Sequence, residues 1–394
     1  MTIPVTQGPV VLAAGGTGGH MFPAEALARE LLARGHRVVL VTDRRGKAFG
    51  DALPEVEVHR IRASSFGSGV MGKLRGAVEL GLGAIQARRL IAALRPSVVV
   101  GFGGYPSVPT VLMAQRAGVP TVLHEQNAVL GRANRMLAPG AARIATSFAA
   151  VSAVKPADRA KLVPTGNPVR PGVAAVRDLP YPALEPGGEL RLLVVGGSQG
   201  ARIFSEIVPA ALALLPDALR RRIRIAQQCR PEDLEAAKAA FAEAGVDAEL
   251  SSFFRDVPDR LAACHLAVCR SGASTVAELA AAGRPAVLVP YPFAMDDHQT
   301  ANAQAVADAG GAWLMPQPAF TPKALADRLE ALLDLPATLG KAAEAARTRG
   351  AADAASRLAD IVTDIATGAP RGAASPRSDR AKAGADHYST EAAE

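Results

Sequence analysis

The chain has 394 residues, 49% hydrophobic and 21% charged, with three cysteines (Cys229, Cys264, Cys269). That is ordinary globular usage for about two or three domains, and it excludes collagenous, wholly disordered and disulfide-scaffolded classes. The net charge of +7 is uneven: residues 1–170 carry 21 Lys+Arg against 9 Asp+Glu, net +12, and residues 171–394 are net −5. Such asymmetry points to a polyanionic partner for the first half: nucleic acid, an anionic membrane surface or a phosphorylated substrate. With aromatics at 4% and no basic–aromatic interleaving, nucleic acid is the weakest of the three.

The opening MTIPVTQGPVVLAAGG has no basic segment ahead of its apolar run, so no secretory signal is expected. PVVLAA (9–14) ends in glycines and reads as a buried strand. AEALARELLARG follows as a helix, with Pro23 at a start position and Gly35 as the stop. RVVLVTD (37–43) is the next strand, and strand–helix–strand implies a parallel sheet with right-handed crossovers. Further along, Leu74, Val78, Leu82 and Ile85 recur at roughly helical spacing, flanked by Lys73, Arg75, Arg88 and Arg89. An apolar stripe rimmed by cations suits anionic lipid, and a stripe packed inward as core is the alternative. Residues 96–115 hold no charge and are long enough to span a bilayer, but their prolines and glycines argue for a strand (SVVVGF), a glycine loop and a helix instead. PTVLHE (120–125) and ARIATS (142–147) continue the strand pattern.

Residues 171–189 are rich in Pro and Gly and read as a linker. The plan then restarts with ELRLLVVGG, a loop and helix, RIRIAQQC, LAVCRSG and PAVLVPYP. The Ala-rich stretch 341–366 ends in a helix. From 367 the chain has almost no large apolar residue and is expected to be disordered. The expected fold class is therefore α/β, with two Rossmann-like parallel-sheet domains facing across a cleft.

In open parallel sheets, ligands sit beyond the carboxyl ends of the strands, so the loops there matter most. Gly15-Gly-Thr-Gly-Gly-His20 lets backbone approach an anion at a helix start, although tight strand–helix packing alone would also use these glycines. A dinucleotide fingerprint fails on spacing, because counting from Gly16 and Gly18 puts Met21 where a third glycine should be, and no Walker GK[ST] occurs. Gly101–Ser107 is a second glycine loop. His124-Glu-Gln-Asn127 places four hydrogen-bonding side chains at a strand end, and Arg170 closes the first half where it can pair with phosphate. Ser198 in GGSQGA can donate to a phosphate or merely cap a helix. Arg270-Ser-Gly-Ala-Ser-Thr-Val-Ala-Glu278 opens a helix whose first turn can receive a diphosphate, with Glu278 one turn past Ser274. Asp296 and Gln299 are spaced to reach sugar hydroxyls, or Asp296 caps a helix.

Taken together and in this order, GGTGGH, GFGGYPS, HEQN, GNPVR, GGSQGA, RSGAST..E and DHQ..NA resemble the MurG family of inverting B-type N-acetylglucosaminyltransferases of peptidoglycan synthesis. The resemblance covers the chain up to about residue 366, and it departs between Pro290 and Asp296, where the loop is about a residue longer. It implies UDP-N-acetylglucosamine as donor and lipid I, undecaprenyl-pyrophosphoryl-MurNAc-pentapeptide, as acceptor, with no cofactor and no nucleic acid. It implies donor contacts at Thr17, Gly18, Gly19, Asn127, Arg170, Ser198, Phe254, Ala273, Ser274, Thr275, Val276, Ala277, Glu278 and Gln299. His20 is the candidate general base, with Glu125 in reserve. No D-x-D occurs in the chain, so no metal is expected in the chemical step. The implied organisation is an acceptor and membrane-association domain over 1–170, a donor domain over 171–345, a helix at 346–366 packing back on the first domain, and a disordered tail at 367–394. The implied location is peripheral, on the cytoplasmic face of the bacterial inner membrane, with other cell-wall synthesis and division proteins as partners. The rivals are another B-type glycosyltransferase, a UDP-sugar epimerase and a non-catalytic sugar-nucleotide-binding scaffold.

Overall fold

The first apolar run forms β1 (Val10–Ala13), with every side chain buried. Helix α1 (Gly18–Ala33) crosses to β2 (Val38–Thr42), which pairs parallel to β1 and is followed by β3 (Glu57–Arg60). Helix α2 (Gly69–Leu94) leads to β4 (Val98–Gly101) on the other side of β1. Helix α3 (Ser107–Arg116), β5 (Thr121–Glu125), β6 (Arg143–Thr146) and β7 (Leu162–Pro164) complete a seven-stranded parallel sheet, β3-β2-β1-β4-β5-β6-β7. The computed structural model describes residues 8–15, 18–43, 53–63, 69–197 and 200–368, with the side chains of 69–75 and of Ala77 left out. Thr17, Ser198 and nearly all of the expected tail therefore lie outside the described residues.

A second sheet repeats the plan. It is built from β8 (Leu190–Val195), helix α4 (Arg202–Ala213), β9 (Ile223–Gln228), β10 (Ala248–Ser251), β11 (Leu266–Cys269), helix α5 (Ala273–Ala282), β12 (Ala286–Leu288), helix α6 (His298–Ala307) and β13 (Ala312–Leu314). Its order is β10-β9-β8-β11-β12-β13. Strands covered by helices on both faces read as near-continuous apolar runs, which is why the central strands were visible in the sequence. In each sheet the strand order reverses beside the first strand of that sheet, between β1 and β4 and between β8 and β11. A crevice opens at the carboxyl ends there.

Three local differences from expectation have physical reasons. Helix α1 begins at Gly18, and Pro23 lies inside it. Proline has no N–H to give to the carbonyl four residues back, so the Gly19 carbonyl is released from the helical ladder. The edge strands β3, β7, β10 and β13 had no clear apolar signal, because an edge is only half covered: in β3, Glu57 and Arg60 are exposed. The stretch expected as one helix at 346–366 is two, Ala337–Arg349 and α7 (Ala354–Thr367). The break falls at Gly350, where an added Cβ would lie 2.2 Å from the Ala280 carbonyl oxygen.

Helix α7 packs on the first sheet. Leu358, Ala359 and Val362 share a core with Leu27, Leu31, Leu40 and Val98. On α2, Ala87 and Ile91 are buried, whereas Val78, Leu82 and Ile85 are 54%, 37% and 52% exposed. The apolar stripe thus faces outward where it is described, and the Lys73, Leu74 and Arg75 side chains lie outside the description. No helix among the described residues is long and apolar enough to cross a membrane.

Leu358 is fully buried. Leu358→Ala should cost about 2–5 kcal/mol of first-sheet stability through the lost transfer energy and the cavity left behind. Urea unfolding followed by far-UV circular dichroism should show a lowered midpoint, and an unchanged one would mean that α7 contributes little there.

Candidate active site

The carboxyl ends of the two sheets meet over a cleft of about 1450 Å³. Gly18, Gly19, His20, Gln126, Asn127 and Arg170 line it from the first unit. From the second come the glycine turn at Gly196, Gly197 and Gly200, then Phe254, Arg270, the start of α5 and Gln299.

The floor on the first side is set by close backbone approach. Gly104 has φ +78°, and a Cβ there would lie 2.4 Å from the Gly15 carbonyl oxygen. The loops after β1 and β4 can touch only with glycine at this point. A Cβ on Gly103 would press on the His20 ring at 3.0 Å, so glycine here also makes room for the imidazole.

His20 sits in the first turn of α1. Its Nδ1 is buried and has no hydrogen-bond partner among the described residues. Burial pushes its pKa below 6.5, while the nearby Glu125 carboxylate opposes that shift. An imidazole that burial keeps neutral is able to accept a proton.

Glu125 is buried at the end of β5, and both of its oxygens are occupied. Oε1 accepts from the Asn127 N–H at 3.0 Å and from Asn127 Nδ2 at 3.2 Å. Oε2 accepts from the Gly131 N–H and from Asn134 Nδ2, both at 2.8 Å. With four donors on one carboxylate, Glu125 braces its own loop. Beside it, Gln126 Nε2 donates to the Phe102 carbonyl at 2.9 Å and lies 3.0 Å from His124 Nδ1. His124 Nε2 faces the Gly166 carbonyl at 3.3 Å, which selects the tautomer protonated at Nε2. Burial lowers the His124 pKa to about 4.

Arg170 and Glu278, read separately from sequence as phosphate and ribose contacts, are partners. The guanidinium donates from Nε at 2.9 Å and from Nη2 at 3.0 Å to the two carboxylate oxygens. Arg170 also stacks 5.0 Å over the Phe22 ring. At the start of α5, Gly272 is extended, so the first-turn amides point out of the helix with the positive end of its dipole. Ala273, Ser274, Thr275 and Glu278 line the cleft. Val276 is buried in the core behind the helix, and Ala277 is not among the lining residues. Ser274 Oγ donates at 3.5 Å to the Gly19 carbonyl that Pro23 leaves free. Phe254 is buried, with the Arg260 guanidinium 3.9 Å above its ring. Gln299 Oε1 accepts from the Tyr291 N–H at 2.9 Å.

Three residues that stand in the sequence motifs, Arg270, Asp296 and Asn302, make contacts that the sequence reading did not assign to them. Arg270 donates to the Val289 and Pro290 carbonyls and to Gln317 Oε1, and no carboxylate among the described residues pairs with it. Burial lowers its pKa, as expected for a cation with no anionic neighbour. Asp296, at φ +54°, makes no helix-capping hydrogen bond; its carboxylate pairs across the cleft mouth with Arg132 and Arg135. These hydrogen bonds, Arg132's first, hold its carboxyl below the usual range. Asn302 is fully buried and bonded to both units. Its signal was a polar residue at an inward position of a helix, which is visible in sequence only once the helix face is known.

Two parallel sheets facing each other across such a cleft are the B-type architecture of nucleotide-sugar glycosyltransferases. The chain belongs to glycosyltransferase family 28: the family's N-terminal domain matches residues 10–146 and its C-terminal domain residues 191–358. It is 63% identical over 362 residues to the UDP-N-acetylglucosamine--N-acetylmuramyl-(pentapeptide) pyrophosphoryl-undecaprenol N-acetylglucosamine transferase of Rhodospirillum centenum, covering 92% of this chain and 96% of that protein. The protein of the same name from Paramagnetospirillum magneticum is 59% identical, over 91% of this chain and 98% of that protein. Among solved structures, MurG of Acinetobacter baumannii superposes with a TM-score of 0.72 at 30% identity, over 90% of this chain and 99% of that one. A UDP-N-acetylglucosamine 2-epimerase, 12% identical with a TM-score of 0.66 over 94% of this chain and 99% of that one, shares the fold alone.

The buried His124 makes stability depend on pH. Its folded pKa of about 4 lies below the ordinary 6.5, so the unfolded chain binds more protons between those values. Stability should therefore fall as pH drops from 6.5 towards 4, by about 3 kcal/mol from this group. Urea titrations at stepped pH should show that loss, and His124→Gln should flatten the slope by about one proton. An unchanged slope in the variant would show that His124 does not titrate there.

Proposed function

We propose that the cleft binds UDP-N-acetylglucosamine and that the enzyme transfers the sugar, with inversion, to the muramyl 4-hydroxyl of lipid I, giving lipid II. The observation that carries this reading is the 63% identity, over 92% of the chain, to a protein of that name. The cleft is consistent in its chemistry.

The donor diphosphate lies against the first-turn amides of α5, between Gly272 and Thr275. The charge that develops as the bond to the anomeric carbon breaks meets the positive helix end there, in a partly dry cleft. Arg270 adds a cation on the same side. Glu278, oriented by Arg170, accepts from the ribose hydroxyls with its remaining lone pairs. The backbone at Phe254 receives the uracil, and Asn127 and Gln299 reach the sugar hydroxyls. Gly18 and Gly19 border the sugar; Thr17 and Ser198, which the family resemblance implies as further donor contacts, lie outside the described residues.

His20, which lines the cleft, takes the proton of the attacking hydroxyl on its imidazole. Glu125, already accepting four hydrogen bonds, serves as a fixed negative charge that stabilises the imidazolium rather than as the base. The outward apolar residues of α2, flanked by Arg88 and Arg89, support a peripheral location on an anionic membrane, at the cytoplasmic face where a lipid-linked acceptor is presented.

Assays of UDP release should show turnover with lipid I and none with UDP-N-acetylglucosamine alone; release without acceptor would favour an epimerase or hydrolase. His20→Ala should lower kcat by about 10²–10⁴-fold with little change in UDP affinity. The acidic limb of wild-type kcat/KM should lie below pH 6.5, in the direction of the His20 shift. Unchanged kcat in the variant would remove His20 as base. In flotation experiments the protein should follow vesicles containing phosphatidylglycerol, and replacing Val78, Leu82 and Ile85 by Ser should release it. Binding that survives those changes would place the membrane contact elsewhere.

A further inference from the structure

We infer that Asn302 is a positioning residue that sets the register of the two units and shapes the donor site through Asn127 and Ser271. The inference rests on the reading of the cleft as that site.

Asn302 projects from α6 of the second unit and is fully buried. Its Oδ1 accepts the Ala128 N–H of the first unit at 2.8 Å. Its Nδ2 donates to Asn127 Oδ1 and to the Ser271 carbonyl, both at 3.1 Å. One carboxamide thus joins a loop of the first sheet to the loop after β11.

The consequences reach groups that would touch the donor. Because Asn302 occupies Asn127 Oδ1 while Asn127 Nδ2 donates to Glu125, the Asn127 amide is fixed in one orientation with a single N–H left over. Ser271 immediately precedes Gly272, so anchoring its carbonyl fixes the direction of the first turn of α5. Ser271 Oγ in turn donates to the Gln299 carbonyl at 2.8 Å. One side chain therefore sets Asn127, the α5 amides and the Gln299 segment relative to one another.

The other polar links across the cleft are more exposed or longer: Arg170 and Glu278 form a bidentate pair, but their side chains are 29% and 14% exposed. The ion pair of Asp296 with Arg132 and Arg135 lies at the rim, where solvent weakens such pairs. The bond from Ser274 to Gly19 is long, at 3.5 Å. Water does not reach Asn302, so each of its bonds is strong and each unmet partner is costly.

The decisive variant is Asn302→Asp. It keeps the volume and the acceptor for Ala128, but sets a carboxylate oxygen against Asn127 Oδ1 and the Ser271 carbonyl. Asn302→Ala removes all three bonds. We expect N302D to remain folded by circular dichroism, to raise the donor KM and weaken UDP binding by calorimetry by about tenfold or more, and to leave the acceptor KM near wild type. In an Asn127→Ala background, adding N302A should cost clearly less than it does alone, because the two act as a unit. Wild-type donor KM and UDP affinity in N302D would overturn the inference. So would effects of N127A and N302A that multiply, or losses that only track the unfolded fraction. If N302A does not fold, N302D decides. Failure of the wild-type protein to bind UDP would instead sink the reading of the cleft.

Discussion

Every strand in both sheets runs parallel to its neighbours, and that constraint organises the molecule. A parallel sheet is built from crossovers, so its strands all end on one edge and the next helices all begin there. Unpaired amides and positive helix ends accumulate along that edge. Here two such edges face each other, which concentrates anion-binding backbone in a single cleft without requiring many cationic side chains. Arg270 is one of four arginines lining it, and it has no carboxylate partner among the described residues.

The first sheet contributes a different chemistry to the same space. Histidines there are kept neutral by burial, and the nearby Glu125 carboxylate accepts four hydrogen bonds from its own loop and from Asn134. Burial acts on the imidazoles and hydrogen bonds position the carboxylate, so neighbouring titratable groups sit in different environments.

The cleft also depends on how its halves are joined. The chain passes from the first unit to the second near Arg170 and returns before α7, which packs on the first sheet. Between these crossings, a buried amide, a bidentate ion pair and a rim ion pair hold the two edges in register. They differ in strength because they differ in exposure to water, and the buried amide couples most directly to the groups around the cleft.

The central strands, the glycine turns and their order along the chain were legible from the sequence because each is a local property. An apolar run bounded by glycine is a buried strand wherever it occurs, and a glycine turn before a helix offers the same amides in any context. The edge strands were not legible, since half-covered backbone needs no apolar pattern. Nor was the start of α1, where Pro23 suggested a later beginning than the helix has. The pairing of Arg170 with Glu278, the capture of Asp296 by Arg132 and Arg135, and the three bonds of Asn302 arose only on folding. Their partners lie 108, 164 and 175 positions apart in the longest case of each. A polar side chain carries no mark of which distant group will satisfy it; packing two units edge to edge makes that choice.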